Sequence, residues 1–131
     1  MSTTTFVHQL EARIRQELPS LTDEQAAGLA AMLETLVRTF QPEVAYVFGS
    51  QARGDATKDS DVDLMLVVTS SDEPGYRRAQ AAYRAIGRHS VPTDILIWTR
   101  EEFDRRRPNP ATLPGTIVRE GKVLYATAIP G

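Results

Sequence analysis

Val44-Ala45-Tyr46-Val47-Phe48-Gly49-Ser50, a ten-residue polar and glycine-punctuated interval, and then Asp61-Val62-Asp63-Leu64-Met65-Leu66-Val67-Val68 form the stretch on which the fold turns. The first segment is short, β-branched and aromatic, bounded by Pro42 and Gly49, and reads as a strand. The second is apolar on both alternating faces from Val62 to Val68, the pattern of a central strand covered from both sides. A third apolar run, Thr93-Asp94-Ile95-Leu96-Ile97-Trp98, reads the same way.

Helical patterns surround these strands. Phe6, Val7, Leu10, Ile14 and Leu18 recur at three- and four-residue steps until Pro19. Thr22-Asp23-Glu24-Gln25 is a capping box, opening a second helix whose apolar face is Ala26, Leu29, Leu33, Leu36, Val37 and Phe40. Asp72-Glu73-Pro74-Gly75 starts a third helix running to about Arg88, with Tyr76, Ala79, Tyr83 and Ile86 as its core face. A short charged helix follows over about Arg100 to Arg107 and is broken by Pro108-Asn109-Pro110. In the tail, Ile117 and Val118 suit a helical turn, Gly121 a cap, and Val123-Leu124-Tyr125 a final strand. The order predicts an α/β (α+β) domain of two or three layers, a small mixed sheet flanked by helices. A single domain over residues 1–131 is expected, with N-terminal helices at about 4–40 and a core at about 42–126.

With 131 residues, 41% of them hydrophobic and 24% charged, the chain is sized for one core and is neither disordered nor fibrous in composition. Folding is expected to bury roughly two thirds of the unfolded surface. Cysteine is absent, which excludes disulfides and thiolate metal sites and fits a cytoplasmic location. The longest apolar run, Leu64 to Val68, is far short of the ~20 residues that span a bilayer, and the Met1 to Thr5 start lacks the basic and apolar blocks of a signal peptide. The formal net charge of −2 argues against a non-specific nucleic-acid binder. That near-neutrality conceals an acidic knot, Asp55, Asp59, Asp61 and Asp63, and a basic cluster, Arg105 to Arg107, whose ordinary place is a solvated helix end.

The acidic knot carries the chemistry. Asp61 and Asp63, two apart at a strand's N-terminal edge, project from one face, where their repulsion invites a divalent cation. Oxygen donors without His or Cys suit Mg²⁺, with Mn²⁺ a second choice, rather than zinc. If the second and third strands are neighbours, Asp94 completes a three-carboxylate cluster. Gly49 lets the backbone approach a bulky anion, and Ser50 offers a hydroxyl and N–H groups to phosphate oxygens. Three acids beside such a turn suit nucleotidyl transfer with two metals. Other motifs fail on particular residues. A Walker A loop would need Lys and Ser or Thr where Asp55 and Ala56 stand, a dinucleotide fingerprint would need Gly at Gln51, and an EF-hand starting at Asp55 lacks its Gly and Glu.

Val47-Phe48-Gly49-Ser50-Gln51-Ala52-Arg53-Gly54 followed by Ser60-Asp61-Val62-Asp63-Leu64 resembles the signature of the DNA polymerase beta-type nucleotidyltransferase superfamily. Within it the chain is most similar to the small, stand-alone minimal nucleotidyltransferases, over residues 25–126. The resemblance implies that Gly49 and Ser50 bind nucleotide phosphates, that Asp61, Asp63 and Asp94 hold the metals, and that Asp94 helps activate the acceptor hydroxyl. Arg53 fits two roles, touching phosphate or bracing the loop against Asp55 or Asp59. Minimal members are often paired with a helical HEPN-domain toxin, act as its antitoxin, and transfer AMP from ATP to a tyrosine of it. A non-catalytic antitoxin and an aminoglycoside-type transferase are the competing readings, and the absence of an acceptor-binding domain weighs against the second. Gly54 is expected to relieve a left-handed backbone position, Lys58, Ser60 and Lys122 to be surface residues, Trp98 to face the core or a partner, and His8 and His89 to bind nothing.

Overall fold

The computed structural model describes residues 3–57 and 59–127, so the expectation for Lys58 and the reading of Met1 and Ser2 lie outside the described residues. The chain runs α1 (Thr3–Glu17), α2 (Asp23–Phe40), β1 (Val44–Phe48), α3 (Ser50–Arg53), β2 (Val62–Val68), α4 (Gly75–Ile86), β3 (Thr93–Thr99), α5 (Arg100–Arg106), α6 (Leu113–Glu120), β4 (Lys122–Ala126). The four strands form one mixed sheet in the order β3-β2-β1-β4. Strand β1 is antiparallel to both β2 and β4, whereas β2 and β3 are parallel and joined through α4.

Alternation along the strands sorts the core into two layers. Ala45, Val47, Leu64, Leu66, Ile95, Ile97 and Leu124 join the buried faces of α1 and α2. Val44, Met65 and Val67 face the other way, under Phe103 of α5 and Ile117 of α6. Helices on both sides make three layers and explain why β2 reads as continuously apolar. The Thr22–Gln25 capping box forms as its residues dictate, and α2 ends at Gln41 in the left-handed region, φ 48°.

The interval after β1 opens on a single helical turn, α3, beginning at Ser50. Two elements depart from expectation. The tail holds a full helix, α6, capped by Thr112 with proline in its first turn, and β4 starts at Lys122. In α4 the core face is rotated, and the helix ends at Ile86. Arg78 and Ala82 are buried, while Tyr76 is 63% and Tyr83 40% exposed, which corrects their assignment to the core. The reason is that α4 lies at the β3 edge of the sheet, where backbone groups as well as apolar side chains need covering.

Arg78 shows this most clearly. Only 7% exposed, it donates to Ile97 O at 2.8 Å and Glu73 O at 2.9 Å, and pairs with both carboxylate oxygens of Glu102 at 2.8 and 3.2 Å. Glu102 also closes the Thr99 capping box of α5, accepting the Thr99 N–H. Arg78, aided by the Thr99 backbone N–H, holds the Glu102 carboxyl down to about 2 against a usual 4.5. A depressed carboxyl stabilises the fold fully above its unfolded value and progressively less as pH falls toward the folded one. The melting-temperature gap between wild type and Glu102→Gln is therefore expected to be largest near neutrality and to close as pH falls from about 4.5 to about 2. Thermal melts across that range check it, and a gap independent of pH would show that the pair contributes nothing through charge.

The opposite edge is covered by α1, where Arg13 Nε donates to Val123 O at 3.0 Å and Phe6 meets Tyr125 edge-on at 5.8 Å. Lys122 is not simply a surface residue, since its Nζ donates to Glu17 O at 2.9 Å.

Candidate active site

In the ladder between β2 and β3, Asp63 stands directly opposite Asp94, and across β1 it stands opposite Phe48, the residue before Gly49. The parallel pairing thus brings together two acids thirty-one positions apart. Both have the strand parity of Met65 and Leu96, so they project from the α5/α6 face, at the end of the sheet where β2 and β3 begin. Asp61 lies one residue before β2 begins, not within it. The loop leading to it is pinned by Thr57 and Ser60, with Thr57 N donating to Ser60 Oγ at 2.9 Å and Ser60 N to Thr57 O at 3.0 Å.

Gly49 sits against this cluster. Its backbone, φ 73° and ψ −153°, turns the chain from β1 into α3, and a Cβ placed on it would lie 2.3 Å from Asp63 Oδ2. The bulky anion that the glycine admits is therefore, first, the protein's own carboxylate. Gly54 ends α3 at φ 84°, the left-handed position expected of it.

Burial pushes the Asp63 carboxyl up from its usual range, and the charges of Asp94 and Asp61 push it further; Asp94 also comes within hydrogen-bonding reach, and Arg53 opposes the shift. Arg53 braces the loop, with Nε 3.3 Å from Asp55 Oδ2, and its charge is felt by Asp63. Among the described residues no group of three His, Cys, Asp or Glu side chains is gathered tightly enough to hold an ion by itself. The donor chemistry fits Mg²⁺ or Mn²⁺: oxygen ligands only, a repulsion left unrelieved, and Asp61 and Asp94 open to solvent.

Other expectations resolve simply. Each arginine of the basic cluster has a neighbour in its own layer: Arg105 pairs with Glu101 of α5, Arg106 lies 5.6 Å over the Trp98 ring of β3, and Arg107 is 3.9 Å from Asp104 of α5. Partly buried Trp98 packs at the α5/α6 layer. A cleft of about 340 Å³ lies at the far end of β2, lined by Phe40, Val68, Ser70 and Arg84, away from the acids. Arg78 and Glu102 went unremarked in the sequence, and Tyr83 was read only as a core residue. Of these only Glu102 carries a local signal, as the last member of Thr99-Arg100-Glu101-Glu102.

The profile of the nucleotidyltransferase domain family matches residues 29–122. A 51-residue stretch is 39% identical to a Methanocaldococcus jannaschii protein named as a candidate protein adenylyltransferase, covering 39% of this chain and 50% of that one. The match thus spans about half the length of that relative. A candidate nucleotidyltransferase of Sulfolobus solfataricus shares the fold at a TM-score of 0.54 and 18% identity, over 97% of this chain and 89% of its own. A toxin–antitoxin structure containing AMP-PNP gives a TM-score of 0.45 at 20% identity, over 74% and 73% of the two chains.

Proposed function

Because the chain belongs to the nucleotidyltransferase domain family, matched from residue 29 to residue 122, we propose that it transfers AMP from ATP to a hydroxyl of another protein, a tyrosine of a HEPN-type toxin, and acts as that toxin's antitoxin in the cytoplasm. The observation that carries the transferase reading is the pairing of Asp63 with Asp94 beside Asp61 and under Gly49. The M. jannaschii relative's name supports a protein acceptor. The partner and the tyrosine rest on the likeness to minimal nucleotidyltransferases. No helix among the described residues is long and apolar enough to cross a membrane.

The acceptor oxygen attacks the α-phosphorus of ATP, the bond from that phosphorus to the bridging oxygen breaks, and pyrophosphate leaves. Asp61, Asp63 and Asp94 would hold Mg²⁺, which when bound supplies a lowered pKa for the attacking hydroxyl and offsets charge on the departing pyrophosphate. Asp94, exposed on the edge strand, would receive the acceptor's proton, while half-buried Asp63 lies between two neighbouring strands. Gly49 and Ser50 let the phosphates approach main-chain N–H groups, and Arg53 adds positive charge beside them.

The test is incubation of the chain with α-labelled ATP, Mg²⁺ and a candidate HEPN-domain toxin. Label is expected on the partner's tyrosine and is lost with EDTA or in Asp61→Asn/Asp63→Asn. Neutralisation that persists in the double variant without any label transfer would replace the enzyme with a binding module. Label on an aminoglycoside, with no protein acceptor, would establish the small-molecule reading instead.

A further inference from the structure

Strand β3 is an edge of the sheet, bonded to β2 on its inner side. Its outer side is occupied by side chains. The Ile95 N–H donates to Tyr83 Oη at 2.9 Å, the Ile97 carbonyl accepts from Arg78 at 2.8 Å, and the Thr99 N–H donates to Glu102 at 2.8 Å. These are alternate residues, the ones whose backbone groups point outward in a strand paired on one side. Arg78 and Glu102 secure the C-terminal half, while Tyr83 acts at the other end, on the peptide that follows Asp94.

That end bears the load. Asp94 faces Asp63, and the two like charges push the start of an edge strand away from its single neighbour. The inner side resists through the Val62 N–H donating to Pro92 O at 3.0 Å, and Thr93 Oγ1 braces the turn on Val91 O at 2.8 Å. For residues 93–95 the described outer restraint is the Tyr83 hydroxyl. A ring that is 40% exposed yet delivers its oxygen to one backbone amide is placed for that bond rather than for burial. We propose that Tyr83 is a positioning residue that keeps Asp94 in register with Asp63 and so shapes the carboxylate cluster for its metal ion and substrate. The inference rests on the assignment of Asp94 to the active site.

Tyr83→Phe removes one oxygen and keeps the ring, so it separates the hydrogen bond from packing. Expected are an Ile95 amide that exchanges about tenfold faster, Mn²⁺ affinity lowered several-fold by electron paramagnetic resonance titration, and kcat for nucleotide transfer about tenfold lower with KM for ATP unchanged. Tyr76→Phe, on the exposed face of the same helix, should alter none of these. Wild-type exchange at Ile95, or faster exchange with full Mn²⁺ affinity and kcat, overturns the proposal. Should the wild-type chain bind Mn²⁺ but transfer no nucleotide, while Tyr83→Phe still weakens Mn²⁺ binding, the positioning role stands and the transferase reading falls.

Discussion

Asp63→Asn is expected to lower nucleotide transfer about a thousandfold or more and, in the absence of divalent metal, to raise the melting temperature by about 2–4 °C. The two effects have one origin. Burial and the charges of Asp94 and Asp61 hold the Asp63 carboxyl above its usual range. A carboxyl raised on folding costs the fold nothing below its unfolded value, and costs progressively more as pH rises through the folded one. At neutral pH the raised Asp63 carboxyl is therefore a local destabilisation. Asparagine has the same shape, removes one charge, and can donate from its amide to Asp94. It also leaves Gly49 undisturbed, because the contact there is steric. Melts with EDTA and with Mg²⁺ provide the check: wild type should gain stability with the ion and the variant should gain little. A metal-free variant that melts below wild type would show that Asp63 stabilises the apo fold, and the cluster could not then be a site awaiting a cation.

How far the sequence could be read follows from the range of each interaction. Strand β2 and helix α2 were legible because alternation, period and capping box are local, and Gly49-Ser50 with Asp61 and Asp63 declared a site for the same reason. Asp94 was different. Its place beside Asp63 depends on β2 and β3 being parallel neighbours, which neither strand's residues state, and which entered as a condition. Tyr76, Tyr83 and Arg78 were misread or missed on similar grounds. An apolar-period argument assigns aromatic residues inward and arginine outward, but α4 covers the edge of a sheet, where an unpaired carbonyl makes a buried guanidinium favourable and an unpaired N–H calls for a hydroxyl. Whether a strand is an edge depends on the order β3-β2-β1-β4, a property of the whole chain. The missing length of α6 has a more local cause, since Thr112-Leu113-Pro114 is a cap followed by first-turn proline whose meaning was obscured by the preceding Pro108 and Pro110.

Gly49→Ala is expected to cost about 2–4 kcal/mol of stability and all detectable transfer. Two penalties coincide. The backbone at φ 73° and ψ −153° is essentially restricted to glycine, and the added carbon would stand 2.3 Å from Asp63 Oδ2, well inside contact distance. Gly54→Ala isolates the first kind of penalty: it has φ 84° and nothing within 4 Å of the added carbon, so a left-handed cost of about 1 kcal/mol is expected. The second penalty is isolated by a double-mutant cycle. Asp63→Ala removes the clashing oxygen, so Gly49→Ala should cost about 1–2 kcal/mol less in that background, measured by urea unfolding. Strictly additive losses would mean that the carboxylate does not lie against Gly49. A coupled cycle would place the Gly49 turn and the Asp63 carboxylate in one physical unit.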